Sequence, residues 1–196
     1  MKVYECYEYN QEYFIVQEII TGGTLSEYLS RYGGENYEKT ICVIIKQILI
    51  GLNYCHKQKV WHRDLKLENI MIQEDKNGNP QAKLIDFGLS REVEQKARNA
   101  MLASRLGTPQ YQAPEVYQGK YSELCDLWSL GILAYILVTQ DVPFRGTTNA
   151  EIQRNIFEHE FEMDQECWED MSNELLDFIH HLIIEESQRM SADEAL

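Results

Sequence analysis

The chain opens with β-branched and aromatic residues in two runs, Lys2 to Tyr9 and Tyr13 to Ile20, separated by Asn10-Gln11-Glu12. That pattern predicts a pair of antiparallel strands around a short turn. At Gly22-Gly23 the period changes. The spacing then predicts a short helix over Leu25 to Tyr32 and a long one over Glu38 to Lys57, with apolar residues at Ile41, Ile44, Ile45, Ile48, Leu52 and Cys55. The long helix is apolar over most of its girth, which predicts a central position. Ile70 to Gln73 and Ala82 to Ile85 flank the turn-rich segment Asp75-Lys76-Asn77-Gly78-Asn79-Pro80 and read as a small hairpin. From Ser122 onward the pattern is helical, near Ser122 to Thr139, Asn149 to Glu158 and Asn173 to Ile184, with breaks at Pro143 and over Asp164 to Asp170. The class predicted is α+β: two strands, then a mostly helical body.

Length and charge narrow the options. The 196 residues, 44% of them hydrophobic, suffice for one sizeable core and favour one domain over two. A net charge of -14 argues against a general nucleic-acid binder, because such affinity comes mostly from cationic contacts to phosphate. Basic peptides are the more natural partners, although acidic charge also serves solubility alone. The five cysteines, Cys6, Cys42, Cys55, Cys125 and Cys167, are scattered and form no C-x-x-C pair, so no disulfide framework or zinc knuckle is indicated, and a reducing, cytoplasmic setting is expected. The longest uncharged run, the fourteen residues Leu127 to Gln140, falls short of the roughly 18 to 20 that cross a bilayer, and reads as a buried helix. The N-terminal residues carry no apolar segment of the signal-peptide kind.

The chemistry concentrates in three motifs. His62-Arg63-Asp64-Leu65-Lys66-Leu67-Glu68-Asn69 is followed, seventeen residues after its Asn, by Asp86-Phe87-Gly88, and Ala113-Pro114-Glu115 closes the set. In the expected hairpin, Asn69 stands just before one strand and Asp86 just after the other, so the two meet at one end. The ordered set resembles the protein kinases. The resemblance implies a protein kinase-like fold, with strands of the small lobe over residues 1–17, a hinge over 18–23, and the large lobe over 24–196 without its final helix. It implies a serine/threonine kinase that transfers the γ-phosphate of ATP, with Mg2+, to protein hydroxyls.

Site residues follow from the same matching. Asp64 is the implied catalytic base, Lys66 reaches the transferred phosphate, Asn69 and Asp86 ligate magnesium, and Thr108 lies beside Asp64 and Lys66. Lysine two residues after the Asp is the serine/threonine form. Gln17 falls at the gatekeeper position, Glu18 to Ile20 offer a backbone amide and carbonyl to the adenine edge, and Leu25 with Met71 would sandwich the ring. Thr24 departs from the Gly-Gly-Glu of many relatives, which leaves Glu68 as the acidic contact to a basic substrate residue. Taken singly, Ile19, Leu25 and Met71 also read as ordinary core residues.

Supporting positions match as well. Glu115 and Arg189 are implied to form a buried ion pair, Asp126 to cap the backbone of the catalytic loop, and His62 to stack on Phe87. Asp126 to Phe144 and Gln188 to Leu196 look most like the calcium/calmodulin-dependent group, including the calcium-dependent protein kinases, so a calcium-sensing segment outside this chain is a possible partner. Arg63 could pair with a phosphate on Ser104. No glycine-rich phosphate loop and no Val-Ala-Ile-Lys-type strand occur in the sequence, which opens about where such a domain would be in its fourth strand. The expectation is therefore poor activity from this chain alone, and the alternative is a non-catalytic kinase-like scaffold within a larger assembly. His180 and His181 point in different directions on a helix and lack a third ligand.

Overall fold

The computed structural model describes residues 1–31, 37–92, 108–159, 161, 163 and 166–196. Strands β1 (Val3–Tyr9) and β2 (Glu12–Gln17) pair antiparallel, with Tyr9 opposite Glu12. The turn is tighter than expected: Asn10 and Gln11, at φ 49° and 63°, make a two-residue turn of the left-handed kind that matches strand twist, and Glu12 joins the strand. β2 ends at Gln17 rather than Ile20. Both strands are exposed along their full length, and the rings of Tyr7 and Phe14 stack across the pair at 5.4 Å.

The helical body begins at α1 (Leu25–Leu29), which stops short of Tyr32. Its start is fixed by a capping box: the Thr24 amide donates to Glu27 Oε2 at 2.8 Å and the Glu27 amide to Thr24 Oγ1 at 3.3 Å. α2 (Tyr37–Lys57) buries Ile41, Ile44, Ile45, Ile48, Leu49 and Leu52. Leu49 thus joins the buried seam and Cys55 is only half-buried. Val43, Ile50 and Tyr54 face solvent among the described residues, so the helix is one-sided rather than enclosed. The two-residue strands β3 (Val60–Trp61) and β6 (Arg91–Glu92) pair with each other; elements this short carry no periodicity to read. Between them, β4 (Ile70–Glu74) and β5 (Pro80–Leu84) form the expected hairpin, with Ile70 opposite Leu84. Asp75 closes its turn by accepting the Asn77 and Asn79 amides at 2.7 and 2.9 Å.

Among the described residues the remaining α-helices are α3 (Pro114–Gln118), α4 (Leu124–Thr139), α5 (Asn149–Glu158) and α6 (Asn173–Leu182). α4 is the buried helix that its uncharged run predicts, and it contacts both α2 and α6. Gly131 permits the close approach to α6, because a Cβ there would lie 2.8 Å from the Leu182 Cβ. α4 starts at Leu124 rather than Ser122, whose hydroxyl accepts the Leu124 amide at 3.2 Å and donates to Glu186 Oε1 at 2.6 Å. α6 ends at Leu182, two residues before the expected Ile184.

Candidate active site

The segment between β3 and β4 carries the site because it is tied down at both ends. Asp126, in the first turn of α4 and 0% exposed, accepts the His62 amide at Oδ2 (2.9 Å) and the Arg63 amide at Oδ1 (2.8 Å), while His56 Nε2 lies 2.8 Å from Oδ2. Burial pushes this carboxyl upward, but the His56 hydrogen bond and charge, the charge of His62 and the Arg63 amide outweigh it and hold the group below its ordinary range. Arg63 adopts φ 66°, which swings the chain so that Asp64 follows toward the hairpin. His62 is fully buried; its Nε2 is 3.1 Å from the Ile85 carbonyl and its ring centroid 4.8 Å from that of Phe87.

Asp64 is 8% exposed and sits at the centre of a short network. Asn69 Nδ2 donates to the Asp64 carbonyl at 2.8 Å and to Asp64 Oδ2 at 3.0 Å. Lys66 Nζ lies 2.9 Å from Asp64 Oδ2 and donates to Thr108 Oγ1 at 3.1 Å. Thr108 therefore reaches Asp64 through Lys66. The Ile85 amide donates to the Asn69 carbonyl at 3.0 Å, which sets Asp86 beside Asn69 at the end of the β4–β5 hairpin. Asp86 is exposed, at φ 58°, with Oδ1 accepting the Gly88 amide at 3.1 Å. Asn69 Oδ1 and the Asp86 carboxylate are hard oxygen donors of the kind magnesium prefers, so this pair fits the ion.

The other expected positions divide. Met71 is half-buried and bridges to Thr24, and the Ile72 amide donates to the Gly23 carbonyl at 2.9 Å, so the hairpin abuts the segment after β2. Leu25 is 0% exposed and packed in the core, so it offers no open surface to a ring, whereas Met71 does. Gln17 is exposed at the end of β2. Glu18 accepts from the Lys2 amide at 2.6 Å and from Lys83 Nζ at 3.4 Å, contacts that hold its carboxyl below the ordinary range, and Ile20 is half-buried. Glu68 is exposed on the turn before β4, near Tyr111, whose hydroxyl is pushed up to about 12, first by burial and then by the Glu68 charge. The Thr24 hydroxyl is used at the cap of α1.

Glu115 and Arg189 form the buried pair, with Nη1 2.5 Å from Oε1 and Nη2 3.2 Å from Oε2, and Arg189 also donates to the carbonyls of Leu124 and Ile184. Ser104 lies outside the described residues. The Arg63 guanidinium donates to the Leu89 carbonyl at 2.7 Å and to the Tyr121 hydroxyl at 3.0 Å. Tyr121 was not legible as part of the site. Neither was His56 as a partner of Asp126, since its place at the end of α2 suggests only a dipole role. His180 and His181 are exposed, and no metal-holding group of three ligands occurs among the described residues. Among those residues no helix is long and apolar enough to cross a membrane.

Comparison with known proteins gives the family. The protein kinase domain family matches residues 1–196. Calcium-dependent protein kinase 5 of Plasmodium falciparum (isolate 3D7) is 38% identical over 179 residues, covering 91% of this chain and 31% of its own length. Calcium-dependent protein kinase 4 of the same organism is 38% identical over 198 residues, covering 100% of this chain and 37% of its own. Death-associated protein kinase 2 of Mus musculus is 35% identical over 196 residues, 99% of this chain and 52% of its own. The chain thus spans about a third to a half of the length of these relatives. With a family match along its whole length and a helical body that carries the ordered motifs, the chain belongs to the protein kinase family.

Proposed function

We propose that the chain carries the hinge and large lobe of a serine/threonine protein kinase that transfers the γ-phosphate of ATP to hydroxyls of protein substrates. The observation that supports this best is the Lys66 ammonium lying between Asp64 Oδ2 and Thr108 Oγ1, with Asn69 bonded to the same Asp64 oxygen. Such an arrangement holds one carboxylate oxygen at a fixed place while its partner can accept a proton from an incoming hydroxyl, and phosphoryl transfer asks little else of a protein than positioning and charge. Lys66 is then placed to meet the transferred phosphate. Magnesium, held by Asn69 and Asp86, would neutralise phosphate charge. The Glu18 to Ile20 backbone would meet the adenine edge and Met71 its face.

Glu68 and the net charge of -14 favour basic peptide substrates. The use of Thr24 as a helix cap takes away one acidic contact that many relatives have. Because the sequence holds no glycine-rich phosphate loop, we place full activity in the protein as it occurs in its source rather than in residues 1–196 alone. A calcium-sensing segment outside residues 1–196 fits the names and the greater lengths of the relatives.

The test is a phosphotransfer assay on the full protein with labelled ATP, Mg2+ and a basic peptide bearing one serine. Label on the serine is expected, and Asp64→Asn should lower the rate about 100-fold or more, as for loss of a positioned base. Equal labelling by Asp64→Asn would overturn the assignment of the base. No labelling by the unaltered full protein would favour a scaffold.

A further inference from the structure

Arg63 is held from several directions, and the contact that fixes its far end is one that the kinase reading does not use. Its main chain is pinned by Asp126, its Nε donates to the Leu89 carbonyl at 2.7 Å, and its Nη1 to the Tyr121 hydroxyl at 3.0 Å. Tyr121 is 8% exposed and its ring centroid lies 6.0 Å from that of Trp61, so packing sets where the hydroxyl stands. Leu89 follows Asp86 by three residues, and Asp86 is held at φ 58°. A non-glycine residue keeps such a conformation only where its surroundings enforce it. Within that stretch the Gly88 amide returns to Asp86 Oδ1 and the Ser90 amide to the Phe87 carbonyl, so the segment is a compact turn whose outer end is the Leu89 carbonyl on Arg63.

We propose that Tyr121 is a positioning residue for phosphoryl transfer: its hydroxyl fixes the Arg63 guanidinium, which in turn holds the Leu89 carbonyl and so keeps the Asp86 carboxylate beside Asn69. This rests on the kinase reading. The guanidinium is a planar fork, so anchoring one nitrogen sets the direction of the others. The hydroxyl supplies that anchor from the framework ahead of α4.

The experiment uses the full protein with Tyr121→Phe, Arg63→Met and the two together. In the protein without nucleotide or metal, hydrogen exchange at the Gly88 and Ser90 amides should quicken about fivefold in Tyr121→Phe, the size of one lost hydrogen bond, while exchange in α4 stays at the parental rate. In the phosphotransfer assay the Mg2+ concentration for half-maximal rate should rise by a similar factor at unchanged KM for the peptide. Adding Tyr121→Phe to Arg63→Met should change neither quantity further. Parental exchange at Gly88 and Ser90, or effects of the two substitutions that add in full, would overturn the proposal. Should Tyr121→Phe fail to fold, Arg63→Met decides, and parental exchange in it would also overturn the proposal. Labelling by the unaltered full protein keeps the two readings apart: its absence removes the kinase reading, whereas its presence beside a normal Tyr121→Phe removes only the role of Tyr121.

Discussion

Asn69 clasps Asp64 from two sides, its Nδ2 donating to the backbone carbonyl at 2.8 Å and to the side-chain Oδ2 at 3.0 Å. One amide group therefore fixes both the main chain and the carboxylate of the expected base. It also leaves Asn69 Oδ1 without a role in that clasp.

Replacing the clasp by an apolar side chain of similar size tests its structural share. Asn69→Leu removes both hydrogen bonds and leaves buried acceptors on Asp64, a change expected to lower stability by about 1–3 kcal/mol. Urea denaturation of parent and variant measures it. A difference under about 0.5 kcal/mol, the range of an ordinary surface change, would show that the clasp orients Asp64 without stabilising the fold.

The Glu115–Arg189 pair has the opposite economy. Its charged ends are nearly solvent-free, at 8% and 0% side-chain exposure. Arg189→Met should cost about 3–5 kcal/mol, because the Glu115 carboxylate is then buried without its partner, whereas Glu115→Leu combined with Arg189→Met should recover much of that loss. If the double variant is no more stable than the single one, the cost lies in the carbonyls of Leu124 and Ile184 that Arg189 also binds.

Much of this was legible because the decisive contacts join residue types whose spacing is fixed. Asn69 and Asp86 flank a hairpin whose turn, Asp75 to Asn79, is written in turn-forming residues, and α5 runs from Asn149 to Glu158 as its pattern predicts. Contacts between separated elements were not legible. Nothing in the neighbourhood of Tyr121 signals that its hydroxyl meets Arg63, 58 residues earlier, and β3 and β6 are too short for any period. The capping box at Thr24 could have been found, since Thr-x-x-Glu ahead of a helix is its signature. Leu25, matched to the adenine ring by the resemblance, is 0% exposed, a depth that spacing does not encode.

Cysteine reactivity should separate the thiols. Burial pushes the Cys125 thiol well above its ordinary 9.0, and the charges of Asp126 and Glu115 add to it; burial also raises Cys42 and Cys55. Cys6 and Cys42 are both exposed, Cys6 on β1 and Cys42 on α2. Alkylation of the native protein at pH 8, read by peptide mass spectrometry, should mark Cys6 early and Cys125 only after urea is added, since the thiolate is the reactive form. Labelling of Cys125 at the rate of Cys6 would mean that α4 opens far more readily than its packing implies.

Asp126 provides a pH prediction with a definite sign. Its carboxyl titrates below the ordinary 3.8 in the folded chain, so the folded state binds this proton less readily than the unfolded state. The stabilisation is therefore fully present above the unfolded value and is lost as pH falls through the folded one. Asp126→Asn keeps the size of the side chain but can no longer offer charged oxygens to the His62 and Arg63 amides and to His56. The variant should be clearly less stable than the parent at pH 7, and the gap should narrow only below about pH 3.8, where the unfolded parent takes up this proton before the folded one does. Denaturation midpoints at pH 7, 5 and 3 read this directly. A gap already closed at pH 5 would place the titrating group elsewhere.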